Sequence, residues 1–153
     1  MPTKQSAGIL LYRRNNNGIE FFLVHPGGPF FAKKDLSAWS IPKGEFSENE
    51  NPLEAAKREF LEETGKSIEG DFIALTPVKQ KGGKIVFAFA LEGDIDASAI
   101  VSNSFTIEWP PRSGKQKEFS EVDKAEWFSK EEAKMKINPA QVLFIDELIN
   151  KLN

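Results

Sequence analysis

Residues Asn51 to Gly65 write both ends of a helix into the sequence, and that helix lies between two groups of strand-like runs. Asn51 can cap, Pro52 suits the first helical position, and Glu54 completes a capping-box-like pattern. The helix is expected to run to about Thr64, with Gly65 as its C-terminal stop. Leu53, Ala56 and Phe60 form its apolar side. Before it, "SAGILLYRR" and "IEFFLVH" are apolar, partly alternating runs joined by "NNNG", which reads as a hairpin, and "WSIP" is a short extended piece. After it, "FIALTPVKQ" and "KIVFAFALE" flank "KGGK" as a second hairpin, with Pro77 marking an edge or bulge.

"SFTIEW" predicts a further strand, "PPRSGKQKEFSEVDK" a loop, and "AEWF" a short strand. Ser129 and Glu132 open a small helix. Asn138-Pro139 opens a last one, whose stripe of Val142, Ile145, Leu148, Ile149 and Leu152 docks on the body. Strands with helices between and after them predict an α/β or α+β sandwich, and residues 1–153 read as one domain.

Composition removes several kinds of chemistry. There is no cysteine, which excludes thiolate zinc sites and a cysteine nucleophile, and one histidine, His25, rules out a multi-histidine metal site. The net charge of −3 offers no general attraction to nucleic acid or anionic membrane. The apolar run "AGILLY" is too short for a membrane span or signal core, so the cytoplasm is the expected location.

Within the helix, "REFLEETG" puts Glu59, Glu62 and Glu63 on one face. Like charges at that spacing cost an isolated helix roughly 0.2–0.5 kcal/mol per pair. Crowded carboxylates hold protons more tightly unless a cation occupies the space between them. Hard divalent ions answer that need, and Mg2+ keeps waters that a substrate phosphate can replace. Arg58 can hold a neighbouring carboxylate through its rigid fork of donors.

The stretch Gly44–Lys66 resembles the Nudix box, Gly-x5-Glu-x7-Arg-Glu-U-x-Glu-Glu-x-Gly-U with U a bulky apolar residue. Gly44, Glu50, Arg58, Glu59, Phe60, Glu62, Glu63 and Gly65 fall in register. The last position departs, with Lys66 in place of an apolar residue and Ile68 two places on. The flanking "AGILLYRR…IEFFLVH…WSIPKGE" is similar to the diadenosine polyphosphate and RNA pyrophosphohydrolase branch. "SEVDKAEWF" resembles its later loop and strand, with Glu121 six residues before Trp127.

The resemblance implies a Nudix fold, a mixed β-sheet sandwiched between α-helices. It implies hydrolysis of a nucleoside diphosphate linked to another moiety, with Mg2+ or Mn2+ and two or more ions. Glu59, Glu62, Glu63 and Glu121, with the Gly44 carbonyl, would ligate metal. Arg58 would orient Glu59 with support from Glu50. Glu121, Glu62 and Glu63 compete for the role of general base, with Glu118 beside Glu121 as an alternative.

Lys43 precedes the box where a cation could meet phosphate, and Lys33, Lys34, Arg112, Lys115 and Lys117 could extend that contact. Trp109 beside Arg112 is the first candidate for base stacking, and Phe30 and Phe31 are the other option. Phe87 and Phe89 are assigned to packing, and His25 to a strand end without a catalytic part. The expected partner is a small-molecule nucleotide. A dinucleoside polyphosphate such as diadenosine tetraphosphate ranks first, followed by an RNA 5′ end, a nucleoside triphosphate or a nucleotide sugar. The weakly acidic charge argues against long RNA. A Nudix-fold module that binds nucleotide without cleaving it is the reading of another class.

Overall fold

The computed structural model describes residues 4–153. Strand β1 (Gln5–Asn15) and strand β2 (Gly18–Pro26) form the expected hairpin, with Asn15 opposite Gly18 across the Asn16-Asn17 turn. Residues Ser6 to Tyr12 of β1 are all buried, as a strand covered on both faces requires. Ala7, Ile9 and Leu11 pack on one side of the sheet with Ala55, Ala56 and Phe60. Leu10 and Tyr12 pack on the other with Phe144, Ile145 and Leu148. The sheet is therefore sandwiched between helices.

Three further segments complete the sheet around β1. Strand β3 (Lys43–Glu45) pairs antiparallel with β1 and places Gly44 opposite Ala7. Helix α1 (Pro52–Thr64) follows, and then short strands β4 (Ile73–Ala74) and β5 (Val78–Lys79). Both pair antiparallel with strand β6 (Ile85–Glu92), which runs parallel to β1. The expected second hairpin is thus present, with its first strand split around Pro77, which has no N–H for a ladder. The seven-stranded mixed sheet is ordered β4-β6-β1-β2 and ends on strand β9 (Val122–Ser129), with β3 on β1 and β5 on β6.

The stretch expected as one long loop is different. Strand β7 (Ser104–Glu108) is joined by strand β8 (Gln116–Ser120), and the two form a separate two-stranded sheet. β7 alternates, with Phe105 and Ile107 half-buried between exposed residues, whereas β8 is exposed on both faces apart from half-buried Phe119, so "QKEFS" lacks an alternating signature. The short strand expected at "AEWF" is longer, because β9 pairs with buried β2 from Phe21 opposite Phe128 to His25 opposite Lys124.

Helix α2 (Lys130–Lys136) has Ser129 as its cap. Asn138-Pro139 opens a 3-10 turn, Pro139–Gln141, before helix α3 (Val142–Leu152) begins. Ile145 and Leu148 dock as expected, joined by buried Phe144.

Candidate active site

The acidic face of α1 is fixed at both ends. Asn51 Oδ1 accepts from the N–H groups of Leu53 and Glu54 at 2.9 and 3.2 Å. At the far end Gly65 adopts φ 76°, and its N–H donates to the Leu61 carbonyl at 2.8 Å. A Cβ at Gly65 would lie 2.8 Å from the Val101 carbonyl oxygen, so both conformation and space require glycine there. Between the caps, buried Ala55, Ala56 and Phe60 clamp the helix to the sheet. Burying Phe60 alone contributes about 1.5–3 kcal/mol. The helix can therefore carry unfavourable charge.

That charge is unfavourable twice over. Glu62 and Glu63 stand in the last turn, which contains no basic residue, where the helix dipole disfavours anions. Arg58 offsets part of this. Its fork grips Glu50 through two bonds of 2.9 and 3.0 Å, and Nη1 donates to Glu59 at 3.1 Å and Glu62 at 3.3 Å. The grip holds the Glu50 carboxyl below its ordinary range and raises the Arg58 guanidinium above its own.

Glu59 and Glu63 are raised in spite of the nearby cations. Burial, followed by the charge of Glu62, pushes Glu59 up to about 7. Burial pushes Glu63 up to about 8, against the opposing pull of Lys43 and with Glu59 and Glu121 adding to the rise. Glu121 is raised too, by burial and then by Glu62. Lys43 is lowered by burial and by Lys84, despite the nearby carboxylates.

Strand β3 closes the site from the sheet side. The Lys43 N–H donates to Glu63 Oε1 at 3.3 Å. A Cβ at Gly44 would fall 2.1 Å from the Glu59 carboxyl group, so the backbone meets that carboxylate with no side chain between them. A cavity of about 170 Å³ opens here, lined by Val24, Pro26, Ser40, Ile41, Lys43, Glu63, Glu121 and Val122. A larger hollow of about 580 Å³, between Thr76–Val78 and α3, lies away from these carboxylates.

Of the residues singled out in the sequence, Lys43, Gly44, Arg58, Glu59, Glu62, Glu63 and Glu121 meet around this corner. Glu118 does not: it lies exposed on β8 opposite Thr106. Trp109 and Arg112 follow β7 on the turn of the outlying hairpin and do not line the cavity. Trp109 instead meets Phe30 edge to face, with ring centroids 5.6 Å apart. Phe87 and Phe89 pack against the α1-side core. His25 is buried, with Nδ1 2.8 Å from Asp123 Oδ1 and Nε2 2.6 Å from the Lys34 carbonyl, and does not line the cavity. Two residues that sequence reasoning passed over are Ser40, in the cavity wall, and buried Gln141, whose Nε2 donates to Ser40 Oγ at 3.1 Å.

With Arg58 between Glu59 and Glu62, no three carboxylates among the described residues close into a cation-ligand set. The chemistry of the donors nonetheless fits a hard divalent ion. All are oxygens, and the proton affinities of Glu59, Glu63 and Glu121 are raised by burial first and by neighbouring carboxylates second, both of which a bound cation would offset.

Comparison with known proteins places the chain in a family. The RNA pyrophosphohydrolase of Bartonella henselae is 35% identical over 74 residues, covering 45% of this chain and 40% of that protein. The enzyme of the same name from Cereibacter sphaeroides is 36% identical over 78 residues, covering 50% and 43%. The aligned segment thus spans about two fifths of the length of these relatives. Among solved structures, the NUDIX domain of Shewanella oneidensis NrtR complexed with ADP ribose superposes with a TM-score of 0.69 at 15% identity, covering 100% of this chain and 90% of that one. The C. elegans Ap4A hydrolase binary complex gives 0.64 at 19%, covering 96% and 97%. At these identities the two structures share the fold. The model of the NUDIX domain matches residues 2–148, and with nearly the whole chain inside that match, this protein belongs to the Nudix family.

Proposed function

We propose that the chain is a divalent-metal-dependent pyrophosphohydrolase that cleaves a phosphoanhydride bond in a nucleotide 5′-polyphosphate. The observation that carries this reading is the α1–β3 corner, where Glu59 and Glu63 are packed against Gly44 and the Lys43 N–H and burial raises their hold on protons. Glu59, Glu62, Glu63 and Glu121, with the Gly44 carbonyl, would hold two or more Mg2+ or Mn2+ ions. When bound, such ions neutralise phosphate charge and lower the pKa of water.

The chain's own residues do the rest. Arg58 fixes the directions of Glu59 and Glu62, and its own orientation is set by Glu50. Lys43 brings a cation to the cavity rim, where a phosphate oxygen would meet it. Glu121 and Glu63 line the same cavity, and whichever is not engaged with metal would stand within reach of an attacking water to take its proton. Trp109 and Phe30 offer aromatic surface for a base, and Arg112 with Lys115 and Lys117 would follow the remaining phosphates.

Triphosphorylated RNA 5′ ends and diadenosine tetraphosphate are the substrates to test first. The sequence relatives carry the name RNA pyrophosphohydrolase, and Ap4A hydrolase is among the structural neighbours. A cytoplasmic location belongs to the same reading, and no described helix is long and apolar enough to cross a membrane. The test is purified protein with Mg2+ or Mn2+ against both substrates, nucleoside triphosphates and nucleotide sugars. Release of a mononucleotide or pyrophosphate from one of them is expected. Nucleotide binding without turnover of any would replace the enzyme with a nucleotide-binding module.

A further inference from the structure

The segment Trp39–Gly44 leads from the α2–α3 side of the sheet to the carboxylates, and its backbone bonds show how it is held. The Trp39 N–H donates to the Lys136 carbonyl at 2.9 Å, and the Asn138 N–H donates to the Trp39 carbonyl at 2.8 Å. Ser40 exchanges two backbone bonds with Val24, at 2.9 and 3.0 Å, and the Ile9 N–H donates to the Pro42 carbonyl at 3.1 Å. Ile41 breaks this backbone pattern. Its N–H donates to a side chain, Gln141 Oε1, at 3.1 Å.

Gln141 is fully buried, an unusual place for a glutamine. Its Nε2 donates to Gln80 Oε1 at 2.9 Å and to Ser40 Oγ at 3.1 Å. With both faces of the amide committed, its oxygen is directed at Ile41. Ser40 and Ile41 line the same cavity as Lys43, Glu63 and Glu121. Two and three residues beyond Ile41, the Lys43 N–H meets Glu63 and the bare Gly44 backbone meets Glu59.

We infer that Gln141 is a positioning residue, acting through Ile41 to fix how closely the Lys43–Gly44 backbone approaches Glu59 and Glu63. The inference rests on the hydrolase reading for its catalytic consequence, and on geometry alone for its structural one. A buried N–H deprived of its acceptor draws the backbone toward another partner. Small displacements of groups that position a reacting centre are costly in rate.

Gln141→Met keeps the length and bulk of the side chain and removes the acceptor. Gln141→Glu keeps an oxygen toward Ile41, and the Gln80 amide can turn to donate to it. The first readout is amide hydrogen exchange of Lys43 in metal-free protein, with Leu10 and Phe21 as core references. Exchange at Lys43 is expected to accelerate about tenfold in Gln141→Met without change at the references, and to recover in Gln141→Glu. The second readout is turnover with Mg2+: kcat about tenfold lower in Gln141→Met, KM within about twofold, and kcat recovered in Gln141→Glu.

Unchanged Lys43 exchange in folded Gln141→Met overturns the inference. So does a loss of kcat that merely follows the folded fraction and is not recovered by glutamate. If Gln141→Met does not fold, Gln80→Ala at a half-exposed position frees the Gln141 amide. An about threefold rise in Lys43 exchange then supports the inference and no rise overturns it. Wild-type protein that turns over no substrate sinks the hydrolase reading, whereas the exchange experiment still decides whether Gln141 holds this segment.

Discussion

The α1–β3 corner and the β7–β8 hairpin lie next to each other in space and are built in opposite ways. The corner is anchored on the sheet: α1 is clamped by Ala55, Ala56 and Phe60, and β3 is laddered to buried β1. The hairpin forms a sheet of its own, touches the loop after β2 through Phe105 at Gly28 and Trp109 at Phe30, and is otherwise mostly exposed. Groups that must hold charge at fixed distances sit on the clamped part. Groups suited to recognition, an aromatic ring and several cations, sit on the part with little behind it. Under the proposed function, rigid placement goes with chemistry and placement on the exposed hairpin with selectivity.

The sharpest way to separate the two regions is to change the corner without changing its volume. Glu63→Gln is expected to lower kcat by about 10²–10⁴-fold, the range associated with losing an acid–base group. The melting temperature of the metal-free protein should hold or rise, because a buried, charge-poor carboxylate is replaced by a neutral amide. Steady-state kinetics with Mg2+ beside a thermal melt checks both, and near-normal turnover would remove Glu63 from the site.

Gly44→Ala tests the same corner from the sheet side. Its methyl group would displace the Glu59 carboxyl, the far end of a flexible side chain, so about 10²-fold of activity and at most about 1 kcal/mol of stability should be lost. Denaturant unfolding and kinetics read the two losses together. An active, stable Gly44→Ala protein would mean that the close approach of Gly44 to Glu59 does not matter.

On the hairpin the expectation is inverted. Trp109→Ala should raise KM about tenfold through lost stacking and leave kcat and stability nearly unchanged. A fall in kcat with constant KM would place Trp109 with the chemistry and dissolve the contrast.

The smallest effect is one of pH on the metal-free protein. Glu59 and Glu63 are raised to about 7 and about 8 from an ordinary 4.5, so the folded chain holds more protons than the unfolded one across that window. Stability must then fall as pH rises from about 4.5 to about 8. A drop of about 3 °C or more in melting temperature between these limits is expected. Mg2+ binds the ionised form, so it should restore more stability at pH 8 than at pH 6. Equal Mg2+ effects at both pH values would count against these two glutamates as ligands.

The corner was legible in the sequence because its information is local. A capping asparagine, a proline, a stop glycine and charges at helical spacing all refer to the same thirteen residues of helix. The hairpin was only half legible: "SFTIEW" alternates enough to show a strand, whereas "QKEFS" becomes one through its pairing with β7. The split around Pro77 was foreshadowed by proline's missing donor. Gln141 was illegible, since a glutamine in a chain gives no sign that it will be buried 100 residues from the backbone group it serves. Pairings over that distance belong to the fold as a whole.

The hairpin's base carries a last consequence. The Glu121 N–H donates to the Asn103 carbonyl at 2.8 Å, and the Asn103 N–H donates to the Glu62 carbonyl at 2.8 Å. Entry and exit of the excursion are thus tied to each other and to the end of α1, so the intervening chain starts and finishes at one point. Doubling the length of such a closed excursion costs only about 0.6 kcal/mol in closure entropy. Residues between Asn103 and Glu121 can therefore be lengthened, shortened or differently charged at small cost in closure entropy while the acidic helix stays as it is.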